Sequence, residues 1–204
     1  MEVEPQPEPE PLVQPFPRPR GAVRQAYWEL DLACNGTAAQ KRSLGNADQL
    51  PRPWSPGTCR AAQLREELWE WLDKVVVWIN HELVFDPVDF IPSCWPRHAD
   101  LVNEIAVLAD LRRSADLTFS SVALEEWHRN ALPAFLGRMR HRVADHCTNG
   151  HSTGWPSAGR FNRQLGDLDS SVRTRAFVRD VESVREASPT SEKATAMRNL
   201  KSVD

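Results

Sequence analysis

The chain has 204 residues, of which 41% are hydrophobic and 26% are charged, and its formal net charge is −3. This composition predicts one or at most two globular domains, and the charge excludes a global basic field that attracts nucleic acid or anionic lipid. No apolar run reaches the ~18 residues of a membrane-spanning helix, so no membrane association is predicted. Four cysteines and an acidic N-terminus without an apolar signal region predict reduced thiols in a cytoplasmic protein.

Residues 1–57 are predicted to form a disordered, Pro/Glu-rich tail and linker. The stretch up to about Arg24 is rich in proline and glutamate, which favours polyproline II and buries little apolar surface. Tyr27 and Trp28 can form a short element on the core, whereas residues 50–57 contain three prolines and predict a loop.

Residues 58–155 are predicted to form the helical core domain. Its first helix begins near Thr58 and ends at Asp86, because the residue before Pro87 avoids the helical conformation. Apolar residues recur along it at intervals of three and four, as expected for one buried face. They are Ala61, Leu64, Leu68, Trp71, Leu72, Val75, Trp78, Ile79 and Leu83.

Two further helical segments follow in this core. Pro96 suits the first turn of a second helix, which ends near Arg112 and Arg113. A third helix begins at Ser120 or Ser121 and continues to Cys147, with Pro133 either kinking it or starting a fourth.

Residues 156–204 are predicted to form a weakly helical, arginine-containing C-terminal tail, with an amphipathic segment around residues 170–187. No internal repeat and no extended alternating pattern of a β-strand is present. The chain is therefore predicted to be all-α: a small antiparallel helical bundle of three to four helices with disordered N- and C-terminal tails.

Two elements of identical spacing carry the most specific chemistry. Cys94 and His98 form one Cys-x3-His element, and Cys147 and His151 form the second. Thiolate and imidazole are the ligands that zinc prefers, and four of them complete a tetrahedral structural site. In an up-down-up bundle both elements are expected at one end, next to the end of the first helix near His81.

The competing interpretation is that these are ordinary buried cysteines with solvent-facing or capping histidines. Cysteine and histidine often coincide at short spacing, and the common Cys-x2-Cys zinc element is absent. His81 or His146 can also replace one of the four ligands.

A basic cluster is the second candidate site. Arg138, Arg140 and Arg142 lie close together, and Arg138 and Arg142 share one helix face. They predict a weak contact with a nucleic-acid backbone, or simply stabilise the C-terminal end of their helix.

No catalytic residue is identified. Glu125 and His128 have the types of an acid–base pair, but their spacing on a helix is that of a routine surface pair. The sequence has no phosphate-binding loop, nucleophile elbow or metalloprotease motif.

The residues Cys-Trp-Pro-Arg-His at 94–98, Glu-Trp-His at 126–128, Leu-Pro at 132–133, Cys147 and His151 form a further pattern. In this pattern the chain resembles an uncharacterised family of small actinobacterial proteins, often found near plasmid or integrative-element genes. The resemblance spans about residues 70–155 and implies a cytoplasmic accessory protein linked to mobile DNA, with no implied activity.

These observations favour a non-enzymatic binding or interaction module, pinned by a structural zinc site and acting on an unidentified protein partner. If Trp69 and Trp71 straddle their helix, one of them is expected to be exposed and to mark the partner surface. The alternative is a DNA-associated accessory protein of a mobile genetic element.

Overall fold

The computed structural model describes residues 11–143, Cys147, His151 and residues 167–187. All regular structure within these residues is helical, which confirms the predicted all-α class. Among them, no helix is long and apolar enough to cross a membrane. Residues 1–10 and 188–204, parts of the two predicted tails, lie outside the described residues.

The N-terminal segment differs from the predicted tail and linker, because residues 11–57 contain two helices and part of the core. Helix α1 spans Gly21–Asn35 and α2 spans Ala38–Ser43. Phe16 and Val23 are buried. Carbonyl groups of the Pro-rich stretch accept hydrogen bonds from indole N–H groups of the next long helix: Trp71 donates to Pro17 O at 2.9 Å, and Trp78 donates to Gln14 O at 2.8 Å.

Helix α3 spans Ala62–Glu82 and carries the apolar stripe that the sequence predicts. Trp69 and Trp71 are both buried, so the expectation that one of them is exposed is wrong. Different segments pack against the two tryptophans: Trp71 contacts Tyr27 of α1, and Trp69 stacks on Phe177 of the C-terminal segment. Neither tryptophan is free to mark a partner surface.

The connection after α3 folds back along that helix. Asn80 of α3 bonds the backbone of Ile91, and Trp95 contacts Trp69, which precedes Asn80 by eleven residues on α3. Helix α4, Ala99–Asp116, therefore begins beside the middle of α3 rather than beside its end. The simple antiparallel bundle of three to four helices is for this reason not confirmed, although each of its predicted helices is present.

The third predicted helix is interrupted before Pro133. Helix α5 spans Val122–Glu126, a π-helical turn spans Trp127–Ala131, and α6 spans Leu132–Val143. Proline has no N–H for the regular helical bond, and a widened turn directly before it accommodates this loss.

Helix α7, Asp167–Ala187, lies where the sequence predicts a weakly helical tail. It packs antiparallel to α3. The guanidinium of Arg173 lies 2.8 Å from the Asp73 carboxylate, and Trp69 donates to Asp180 at 2.6 Å. Arg173 and Val181 are buried, so this helix belongs to the folded unit.

Gly21, the first residue of α1, occupies a backbone conformation that favours glycine. Its φ angle is +48°, and a Cβ there would collide with the Glu67 carboxylate, which accepts a hydrogen bond from the Ala22 N–H. We expect Gly21→Ala to lower the free energy of unfolding by about 1–3 kcal/mol, measured by urea denaturation. Gly57→Ala is the control, because nothing lies within 4 Å of its Cβ position; equal stability of the two variants would contradict the assignment.

Candidate metal centre

The two Cys-x3-His elements meet in the folded chain. One ligand atom from each of Cys94, His98, Cys147 and His151 lies within 4.8 Å of the other three. Both cysteines are buried and both histidines are half-buried. This group can hold a metal ion.

The first element is shaped by a short 3₁₀ turn, Trp95–Arg97, directly before α4. The His98 N–H bonds to Trp95 O at 3.1 Å, and His98 also begins α4 as its N-cap residue. Pro96 fits this turn because its missing N–H has no helical partner to bond. One tight turn therefore brings the side chains of residues 94 and 98 to the same side, with Cys94 Sγ 3.4 Å from His98 Nε2.

The second element lies beyond the end of α6. That helix ends at Val143, which is 1% exposed, and Cys147 follows with 3% exposure. Cys147 Sγ and His151 Nδ1 approach His98 Nε2 from this side, at 3.4 and 3.2 Å. Segments 49 residues apart in the chain thus share one centre.

Hydrogen bonding alone does not explain this arrangement. An imidazole nitrogen either donates one hydrogen bond or accepts one, yet two sulfurs and one nitrogen converge on His98 Nε2. A cation between the four atoms would satisfy all of them at once. The donor set therefore fits a metal better than it fits a polar cluster.

The distances also match tetrahedral coordination. Usual zinc–ligand bond lengths give tetrahedral edges of about 3.3 Å between two nitrogens and about 3.6 Å between nitrogen and sulfur. The three separations from His98 Nε2 are 3.2–3.4 Å. The remaining pairs of ligand atoms lie within 4.8 Å of one another.

Burial sets the protonation of the metal-free site. It raises the pKa of the Cys94 thiol, and the neighbouring Cys147 thiol raises it further. Burial lowers the pKa of both His98 and His151, which keeps the imidazoles neutral and able to coordinate. Metal binding must therefore displace the proton of the Cys94 thiol, and no imidazolium proton from His98 or His151.

Asn80 positions this site, and sequence reasoning missed it. Its side chain is buried, donates to Ile91 O at 3.0 Å and accepts from Ile91 N at 2.9 Å, which fixes the returning segment that presents Cys94. The sequence signal that could have found it is an amide side chain, Asn80, next to the apolar stripe of α3 and directly after Ile79.

We expect Asn80→Ala to lower the free energy of unfolding by about 2–4 kcal/mol, because two buried backbone groups of Ile91 lose their partners. Urea denaturation measures it. The matched control is Asn103→Ala, since Asn103 is exposed and, among the described residues, its side chain bonds Ala99 O of its own helix. A loss for Asn80→Ala no larger than the control's would show that the pair of hydrogen bonds does not hold the segment.

Of the two other histidines considered as ligands, His81 is described and is not part of the cluster. His81 has a side chain that is 74% exposed and pairs with Glu82 at 2.9 Å. His146 lies outside the described residues.

The arginines proposed to contact nucleic acid all pair with acidic side chains. Arg138 and Arg142 both bind Glu104 of α4, and Arg142 also lies 3.4 Å from Asp100. Arg140 points to a different partner, Asp89, with its Nε at 3.0 Å. The structure thus brings Arg138 and Arg142 together on Glu104 and pairs Arg140 separately with Asp89.

Glu125 and His128 do not form an acid–base pair. Glu125 forms an ion pair with Arg129, one turn further along the chain. The ring of His128 packs edge-on against Trp127 at a centroid distance of 5.0 Å. This geometry agrees with a surface role for both side chains.

Comparison with known proteins finds no matching family model, no similar curated protein and no similar solved structure. The resemblance to the actinobacterial family therefore stays a prediction, and the site is interpreted from its own geometry.

Proposed function

We propose that Cys94, His98, Cys147 and His151 bind one zinc ion, and that the zinc-pinned helical domain is a non-enzymatic interaction module. The observation that carries this proposal is the convergence of four zinc-type ligands from two distant segments on one point. Two neutral imidazoles and two thiolates, a common set in structural zinc sites, would give the filled site no net charge.

A structural role follows from the number of ligands. Four protein ligands complete a tetrahedral shell, whereas catalytic zinc sites keep one position open for water or substrate. The acid–base candidates Glu125 and His128 contact Arg129 and Trp127, so this pair does not supply a catalytic group. Two reduced thiols suit a reducing compartment, and we infer a cytoplasmic protein on that basis.

An exposed apolar loop supports a protein partner. Leu117, Phe119 and Val122 all lie between the last turn of α4 and the start of α5, and their exposed fractions are 68%, 110% and 73%. Clustered exposed apolar side chains mark interaction surfaces more often than single ones do. The DNA-associated alternative has no comparable support, because Arg138, Arg140 and Arg142 are paired with carboxylates.

Titration with Co²⁺ under reducing conditions tests the closed structural site. We expect one Co²⁺ per chain, with visible absorption of the intensity and thiolate charge-transfer character of a four-coordinate S2N2 site, displaced by zinc. Adding a small anionic ligand such as azide should leave the spectrum unchanged, because no position is open. A spectral change with azide would indicate an open coordination position of the catalytic type. Absence of a thiolate charge-transfer band would contradict the proposed metal site.

A further inference from the structure

The metal ligand Cys94 is directly followed by a residue that holds α7. Trp95 is fully buried, and its ring lies 5.7 Å from Trp69 of α3 and 6.0 Å from Phe177 of α7. Phe177 in turn stacks on Trp69 at 5.4 Å. Three aromatic rings from the metal turn, α3 and α7 therefore form one cluster, which we call the aromatic triad.

Polar contacts between described side chains also hold α7 on α3. Asp180 accepts from Trp69 Nε1 and lies 3.3 Å from Arg65 Nε, and Arg173 pairs with Asp73. Val181 is the buried aliphatic residue that α7 contributes to the core cluster. Such an interface depends strongly on the position of its few apolar anchors.

The metal centre is also linked to α7 along the chain. Cys147 and His151 are the described residues that precede α7 in the chain, and residues 152–166 join them to it. Coordination therefore fixes both Trp95, on which α7 packs, and the point from which the chain leads to α7.

We propose that metal binding at Cys94, His98, Cys147 and His151 controls the docking of α7 on α3, so that metal loss releases this helix. The inference rests on the proposed metal site. Without the metal the 94–98 turn and residues 147–151 are no longer tied together, and the triad loses its fixed third ring. Release exposes Trp69 and Trp95, an aromatic surface that the metal-bound protein covers.

Hydrogen–deuterium exchange of the full-length chain tests this coupling. Exchange is followed by mass spectrometry with zinc bound, after chelation and after zinc is restored. We expect peptides of α7 to exchange at least ~10-fold faster after chelation, while peptides of α1 keep their protection, and zinc to reverse the change. Equal exchange of α7 with and without bound zinc, or equal loss of protection in all helices, overturns the inference.

Zinc content measured on the same samples separates the two proposals. If the protein binds one zinc per chain but the exchange of α7 does not change, the metal site is supported and only the coupling to α7 is contradicted. A protein that binds no zinc loses both.

Linkage provides an independent test that leaves the ligands intact. If the metal stabilises docking of α7, docking must strengthen metal binding by the same factor. We expect Phe177→Ala to lower zinc affinity ~10-fold in competition with a chelating dye. Val178→Ala on the same helix, where Val178 is 47% exposed, should bind like the native chain; equal affinities of the two variants contradict the coupling.

Discussion

Removal of zinc is expected to lower the melting temperature of the full-length protein by about 8–16 °C. A ligand present at ~1,000 times its dissociation constant stabilises the folded state by about 4 kcal/mol. For a chain of this size each kcal/mol corresponds to about 2–4 °C in the melting temperature. Scanning calorimetry with zinc and with excess chelator, both under reducing conditions, measures the difference.

Substitution of one ligand should reproduce the effect of the chelator. We expect Cys147→Ser to melt at the temperature of the chelated native chain and to show no further change on chelation. Cys34→Ser is the matched control, because Cys34 is exposed and is not part of the cluster. Melting curves of Cys147→Ser that still respond to chelator would mean that the stabilising metal binds elsewhere.

Trp127→Ala is expected to cost about 3–5 kcal/mol of unfolding free energy, a loss typical of a fully buried aromatic side chain. Trp127 is 2% exposed and begins the π-helical turn. Its Nε1 donates to Leu108 O at 2.9 Å, and its ring lies 6.5 Å from that of Trp78. One side chain thus joins α3, α4 and the segment that leads into α6.

Two controls define what this substitution measures. Trp28→Ala removes the same side chain at a site that is 54% exposed, and it should change stability by no more than about 0.5 kcal/mol. Trp127→Phe retains part of the packing and should lie between the two. Urea denaturation gives all three values, and a Trp127→Ala loss similar to that of Trp28→Ala would refute the anchoring role.

The helices themselves were predictable from local sequence, but their arrangement was not. The stripe of α3 depends on residues three or four positions apart, which a pattern shows directly. The path of the connection depends on the contacts of Asn80 with Ile91 and of Trp95 with Trp69. Nothing in the local pattern of residues 83–98 states that this segment folds back along α3.

The N-terminal segment shows the same limit. Its proline content predicts a non-helical backbone, and residues 11–20 contain no regular secondary structure. Its place in the fold depends on indole donors more than 50 residues away, at Trp71 and Trp78. The packing of α7 in the core was missed for a related reason. Arg173 weakens the amphipathic pattern of α7, yet the ion pair with Asp73 allows the Arg173 side chain to be buried.

The candidate metal site was predictable because two Cys-x3-His elements of identical spacing supply the ligand types that zinc prefers. The four residues named from the sequence are those that the structure brings together. The sequence could not distinguish this set from one containing His81, because that choice depends on which end of α3 lies near Cys94. The fold places Trp69, not His81, beside the metal turn.

The zinc content of the purified full-length protein tests the central claim most directly. Elemental analysis after reduction, zinc addition and removal of excess metal should give one zinc per native chain. A chain carrying both Cys94→Ser and Cys147→Ser should give none. A native chain that retains no zinc under these conditions, or a double variant that retains as much as the native chain, would contradict the assignment of these residues as a metal site.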